Sequence, residues 1–280
     1  MSKVDFRVPR YSVILICLTA AFALVASGVA SAQQSEDFDQ YKVRITTFWL
    51  YASPTVSLEA AGHDGLVDFN RDFGFEEYST FVGKFDWRFT RKNHLYFVAI
   101  PYIQSATTTL NRTIVFRGQT FNVGAVTKGE LTSIMYAPGY QYDIIRRKRG
   151  HLGIAVQLNL FDSTGKLTAA AQVTGGGVQQ GAISASSSLL APIPVAGPEF
   201  RLYLTNSPRL FVEGNIYGMY LFGYGNYYST FGDLGFSITK HLTVNAGYTL
   251  GSRLKVKGTS SRVGLSLQQQ GPIVGAQFSF

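Results

Sequence analysis

The chain has 280 residues and a net charge of +8; 46% of it is hydrophobic, 14% aromatic and only 15% charged. A soluble domain usually carries about 25% charged residues, so the charge content is low for one, although composition alone does not separate a soluble β protein from a membrane barrel. One cysteine excludes a disulfide framework, and a mixture rich in Phe, Tyr and Gly favours strands and tight turns over helices.

At the N-terminus, Lys3, Arg7 and Arg10 precede an apolar run from Tyr11 to Ala26, then Val29-Ala30-Ser31-Ala32. This is the layout of a secretory signal peptide over residues 1–32, cleaved after Ala32. The apolar run is shorter than the ~20 residues that span a bilayer. Cys17 lies inside it, behind Ile16 rather than the small residue that lipid attachment requires. The mature chain is therefore expected to be exported and free of thiols. An exported chain excludes nucleic acid as a partner despite its basic charge. Residues 33–41 are expected to form a short periplasmic segment, and 42–280 a single domain.

From residue 42 onward the apolar pattern has period 2 and no sustained helical period. Leu152, Ile154, Val156, Leu158 and Leu160 alternate with Gly153, Ala155, Gln157 and Asn159. Phe85, Trp87 and Phe89 alternate with Lys84, Asp86 and Arg88, and Phe200, Leu202 and Leu204 with Glu199, Arg201 and Tyr203. Ten such segments are expected, at about 42–61, 78–90, 94–108, 127–145, 151–163, 190–205, 209–222, 227–239, 241–256 and 263–280. Eight or twelve would follow from one long connection read differently. Tight polar breaks at 91–93, 146–150, 206–208 and 239–240 alternate with longer connections at 62–77, 109–126, 163–197 and 251–262. Short turns alternating with long loops is the pattern of an all-β, antiparallel up-and-down transmembrane β-barrel.

In such a barrel the apolar face meets lipid and the polar face lines the lumen. Arg44, Lys84, Asp86, Arg88, Asp143, Glu199, Arg201, Glu213 and Asp233 share the polar parity of their segments, which predicts a narrow lumen filled by paired charges. Aromatic residues near segment ends, namely Trp49, Tyr51, Tyr140, Tyr142, Tyr227, Tyr228, Phe278 and Phe280, suit interfacial girdles, with core packing as the alternative. The last segment reads Pro272-Ile273-Val274-Gly275-Ala276-Gln277-Phe278-Ser279-Phe280, with Val274, Ala276, Phe278 and Phe280 on one face.

The N-terminal signal, the alternating segments and this final strand resemble bacterial outer-membrane β-barrel proteins, among them the OmpA-type and OmpW-type small single-chain barrels. The resemblance is architectural and spans the chain after residue 32. It implies a location in the cell outer membrane, contact with outer-membrane lipids and lipopolysaccharide, and recognition of Val274, Ala276, Phe278 and Phe280 by the barrel-assembly machinery. It implies no cofactor.

Asp68-Phe69-Asn70-Arg71-Asp72-Phe73-Gly74 has oxygen ligands at alternate positions, as a calcium loop does. Phe73 stands at the glycine position and Ser79 where a bidentate Glu belongs, so the expected reading is no metal, with Val67, Phe69 and Phe73 of an extended segment packed on the barrel or over its mouth. His94, His151 and His241 each follow a short turn and are expected at the solvated or interfacial base. Only His63, beside Asp64 and near Asp68, Asp72, Glu76 and Glu77, lies where an outer-face hydrolase would work. The basic turn 146–149 reads as a solvated hairpin and Gly165–Pro198 as a mobile external loop flanked by strand extensions. The leading expectation is a non-catalytic barrel, structural or a narrow channel for small solutes. The alternatives are a hydrolase using His63, or an adhesin acting through its loops.

Overall fold

Successive residues of a strand point to opposite faces, so the alternating segments can bury one set of side chains only by curling around it. In a computed structural model, which describes residues 38–59, 66–169, 172–174, 178–180, 182–221, 225–257 and 264–280, they do so by closing into a barrel. The elements are β1 (Val43–Glu59), β2 (Leu66–Asp68), helix α1 (Phe69–Phe73), β3 (Tyr78–Arg88), β4 (Asn93–Thr109), β5 (Ile114–Phe116), β6 (Gln119–Phe121), β7 (Val126–Arg147) and β8 (Gly150–Ala169). They continue with β9 (Gln172–Thr174), β10 (Val178–Gln180), β11 (Ile183–Tyr203), β12 (Leu210–Leu221), β13 (Gly225–Ser237), β14 (Leu242–Lys257) and β15 (Gly264–Ser279).

Ten strands make the wall in the order β1-β3-β4-β7-β8-β11-β12-β13-β14-β15, every neighbour antiparallel, and β15 returns to pair with β1. The seam begins where Phe280 N donates to Val43 O (2.8 Å) and Lys42 N donates to Phe280 O (2.6 Å). The end of the barrel that holds this seam and residue 38 is called the base, the opposite end the crown.

Short turns at the base have local causes. Thr90 Oγ1 accepts from the backbone N–H of Lys92 and Asn93, and Thr239 Oγ1 from those of His241 and Leu242. Gly150 closes the 148–149 turn at φ +144°, and a Cβ there would meet Arg201 O at 2.0 Å, so only glycine fits.

Outside, large apolar side chains are exposed all round the wall, including Trp49, Trp87, Phe97, Ile154, Phe200, Leu234, Val274 and Phe278. Water does not tolerate so continuous an apolar surface; a bilayer does. The belt ends sharply: outward residues of β8 run Leu152 to Leu160 and then turn to Asp162, Thr164 and Lys166. On β7 the change falls between Ile134 and Thr132, and Ile134 pairs with Asp162. The nine positions from Leu152 to Leu160 on β8 match the ~9–11 that a tilted strand needs to cross.

Three expectations are corrected. The strand extensions that flank the loop within 165–198 are longer than expected, taking in 164–169 and 183–189, because β8 and β11 stay paired from Gly150↔Leu202 up to Ala169↔Ile183, well above the apolar belt. Tyr227 does not join an outer girdle; it shares the inward parity of Asp233 and packs on Phe161 (5.9 Å) inside. Residues 69–73 form a helical turn rather than an extended segment, capped by Asp68, whose carboxylate accepts from Asn70 N and Arg71 N. The signal peptide reading (1–32) and His63 lie outside the described residues.

The lipid belt yields a direct test. Val156→Arg, near the middle of the β8 belt, should cost about 2–4 kcal/mol of stability in lipid vesicles. Asp162→Arg, two residues above its end, should cost under about 1 kcal/mol. Urea unfolding followed by tryptophan fluorescence would measure both, and equal losses would place the bilayer elsewhere.

Candidate functional site: the barrel lumen

Inward side chains change character with height. On β3 they run Arg88, Asp86 and Lys84, then Val82, Thr80 and Tyr78; on β4, His94 and Tyr96, then Val98, Ile100 and Tyr102. The lumen is therefore ionic at the base and apolar towards the crown.

The base is organised around Asp39, on the segment that precedes β1. Its carboxylate pairs with Arg44 and with Arg88 (2.6 Å), and reaches Arg201 (3.4 Å), His151 (3.4 Å) and Arg146 (3.9 Å). Its carbonyl accepts from Arg88 (2.6 Å) and Arg146 (2.7 Å). Burial would raise the Asp39 carboxyl, but Arg44, Arg88 and Arg201 outweigh it and hold it well below the usual carboxylate range. Two residues on, the Tyr41 ring lies between the guanidinium groups of Arg44 (3.6 Å) and Arg88 (3.7 Å). Its hydroxyl donates to Asp86 (2.9 Å). Phe38 N, donating to Lys148 O (2.8 Å), ties the segment to the opposite turn. Residues 38–41 thus fold into the barrel mouth as a plug.

The nine charges named from parity all lie on the lumen side. Arg44 and Arg88 meet Asp39; Asp86 and Asp143 flank His94 at 3.3 and 3.2 Å; Lys84 pairs with Glu199 (3.0 Å); Arg201 donates to Glu213 (2.7 Å) and Gln277 (2.9 Å); and Asp233 accepts from Asn245 (2.8 Å). Tyr217 donates to Glu199.

Sequence reading missed Asp39, Tyr41, His94, His151 and Arg146. His94 and His151 are buried rather than solvated; only His241 is exposed. Parity with Tyr96 and with Gly153 carried that signal. Arg146 belongs to no solvated turn: a β-bulge between Asp143 and Ile145 reverses the parity and turns it inward onto Asp143 (2.8 Å). No period could place Asp39, which precedes the first strand.

Among the described residues, α1 and the hairpin β5–β6 cover the crown. Phe69, Phe73 and Phe75 are buried beside Leu58, Leu131 and Leu167, the first pair of rings 5.7 Å apart. Glycine at 129 makes the space, since a Cβ there would lie 2.7 Å from the Phe73 ring. Asn70 staples the turn down, donating to Pro54 O (2.8 Å) and Phe75 O (2.7 Å) and accepting from Val56 N (2.7 Å). Arg112 reaches from the next loop to Asp72 (2.6 and 2.9 Å). Burial would raise the Asp72 carboxyl, yet Arg112, the Asp68 N–H and Arg71 lower it. Asp68 and Asp72 are thus engaged by N–H groups and arginines, and among the described residues no group of three or more His, Cys, Asp or Glu is placed to hold a metal.

Above the base plug lies a cavity of about 160 Å³, with Phe48, Ile100, Met135, Phe161, Phe231 and Ile273 on its walls, Lys84, Glu199 and Tyr96 lower down, and Tyr41, Arg44, Asp86 and Arg201 at its foot.

No family model matches the chain, and no curated protein matches it in sequence. Among solved structures it is similar to the outer membrane protease OmpT of Escherichia coli, at a TM-score of 0.57 and 11% identity over 88% of this chain and 100% of that one. The P. putida toluene transporter TodX (TM-score 0.36, 8% identity, 87% and 91% covered) and Ail, the attachment invasion locus protein of Yersinia pestis (0.33, 11%, 85% and 99%), align too loosely to carry an argument. The OmpT likeness establishes the fold of an outer-membrane β-barrel and nothing finer.

Two tests follow from the two plugs and the pairs between them. A depressed carboxyl stabilises the fold fully above its ordinary pKa and stops doing so as pH falls through its lowered one. The protection of the amides in residues 66–77, taken relative to their intrinsic exchange rate at each pH, should therefore stay constant from pH 8 to 5 and fall only below about pH 4. Asp72→Asn should lower it throughout, and unchanged protection in that variant would remove the ion pair from the closure. Separately, Lys84→Met should cost roughly 3 kcal/mol by leaving Glu199 buried alone, and the double variant with Glu199→Gln should recover most of it. Chemical denaturation measures both.

Proposed function

We propose that this protein is a non-catalytic barrel of the outer membrane, closed at rest, whose lumen is a gated path for small solutes. The observation that carries the reading is that both ends are shut by non-covalent plugs, Asp39 with its arginines at the base and α1 with Arg112 at the crown, around an unfilled middle. A purely structural barrel has no need of a cavity between two plugs. With an even strand number both termini lie on one side, the periplasm, and the crown faces outward. Val274, Phe278 and Phe280 are displayed on the outer surface, with Ala276 half-buried between them, where the assembly machinery and outer-membrane lipids would meet them.

The hydrolase reading is weaker. It rests on His63 and on carboxylates of which Asp68 and Asp72 are committed to the helix cap and to Arg112. Adhesion loses part of its longest loop to β8 and β11.

In planar bilayers the wild type should give rare, small conductance steps. Asp39→Ala leaves the guanidinium groups of Arg44, Arg88, Arg146 and Arg201 without their shared partner, a loss of roughly 3–5 kcal/mol, and should raise the opening frequency at least tenfold. Large steady currents from the wild type, or identical records from both proteins, would defeat the gated-path reading.

A further inference from the structure

Four arginines, from β1, β3, β7 and β11, converge on one small carboxylate at the base, and they reach both of its oxygens. Oδ1 of Asp39 meets Arg44 and Arg201 (3.4 Å), with the Tyr203 hydroxyl at 3.5 Å. Oδ2 meets Arg88 (2.6 Å), His151 (3.4 Å) and Arg146 (3.9 Å). Guanidinium groups on a planar pair of oxygens are how proteins recognise a free carboxylate. Beyond its Cα, the Asp39 side chain is an acetate.

The cradle does not depend on Asp39 alone for its shape. Arg201 is held from behind by Glu213 (2.7 Å) and Gln277 (2.9 Å), and Arg146 by Asp143 (2.8 Å). Arg44 and Arg88 stack on the Tyr41 ring. The occupant, by contrast, sits on a segment, residues 38–41, that belongs to no strand.

Room and attraction both lie beside it. A second cavity, of about 480 Å³, touches Asp39, Arg44 and Arg201 and extends to Phe211, Arg209 and Lys240. Lys42, Lys92, Arg147, Lys148, Arg209 and Lys240 are exposed about the base, and its turns, at 89–92, 148–149, 204–209 and 238–241, carry no Asp or Glu. Such a field concentrates anions at the mouth, and rings of Arg and Lys are what select anions in pores.

We propose that this cradle is a binding site for small carboxylate anions, with Asp39 as its resident stand-in, and that a free carboxylate takes its place when residues 38–41 withdraw. The proposal rests on the gated-path reading, for which it names the solute, but the site itself can be tested without passage.

The test removes the stand-in and supplies its equivalent. Asp39→Ala leaves space for one acetate in the barrel, residues 33–280, refolded into lipid vesicles. Acetate is exchanged for chloride at fixed ionic strength, and urea unfolding is followed by tryptophan fluorescence. The variant should gain stability along a saturable curve. The wild type, whose tethered carboxylate competes at high effective concentration, should not respond. Acetamide, of the same shape without the charge, should have no effect. Arg88→Gln added to the variant should weaken acetate at least about tenfold, the range of one charge-assisted hydrogen bond. In planar bilayers, acetate at ten times its dissociation constant should lower the opening frequency of Asp39→Ala about tenfold, since a ligand held only by the closed form raises that population by 1 + [L]/Kd. Asp39→Ser takes the place of the alanine variant should that protein lose its heat-shifted mobility on gels. No gain beyond chloride, an equal effect of acetamide, or an equal response of the wild type would each overturn the site. Acetate stabilisation in a protein that never conducts would remove the gated path and leave the site standing. Conduction with no acetate response in either measurement would do the reverse.

Discussion

Hydrocarbon offers no hydrogen bond to a backbone N–H or C=O, so a sheet that enters it must close on itself. The seam between Val43 and Phe280 is where this chain meets that demand, and much else follows from it. Closure over ten strands leaves a narrow interior and turns the apolar faces outward. The polar faces must then share a space with little room for water, where a single uncompensated charge is costly. Pairing inside the lumen is thus a consequence of how the wall is closed, not an addition to it.

That pairing is uneven along the axis. Arginine, aspartate and histidine crowd the base, while aromatic and aliphatic side chains take over above Lys84. Five cations converge on or near Asp39 from β1, β3, β7, β8 and β11 if His151 is counted among them. A single residue outside the barrel strands neutralises what the wall strands bring together. Its removal would turn a stable plug into mutual repulsion, which is why the segment before β1 belongs to the lumen in energetic terms. The crown uses different means: three phenylalanines bury the mouth, and one buried carboxylate, Asp72, links two loops through Arg112. One end is latched by charge and the other by apolar packing, so the two respond to different perturbations.

Much of the wall was legible in the residue order. Period-2 alternation pointed to the ten strands, the lipid face of β8 and the lumen side of all nine charges, because strand geometry alone decides which way each residue points. The same rule, applied to His94, His151 and Tyr227, would have turned them inward. Gly165–Pro198 was harder. Its small polar residues read as a loop flanked by strand extensions, yet β8 and β11 extend further together above the bilayer because the ladder continues where each strand still has a partner. Arg146 was hidden by the bulge at Asp143, since an extra residue reverses every later side chain.

By itself, then, the sequence determined that this chain crosses a membrane as a closed antiparallel barrel and which charges share the polar face of its strands, and it favoured ten strands over eight or twelve, a choice that the closed wall made. These are local properties, carried by alternation and turn chemistry. Only the tertiary structure decided that Asp39 meets Arg201, 162 positions away, that Lys84 finds Glu199 across the lumen, and that a cavity remains between Tyr96 and Phe231. Such meetings depend on the stagger and radius of the closed wall, and no spacing along the chain records those.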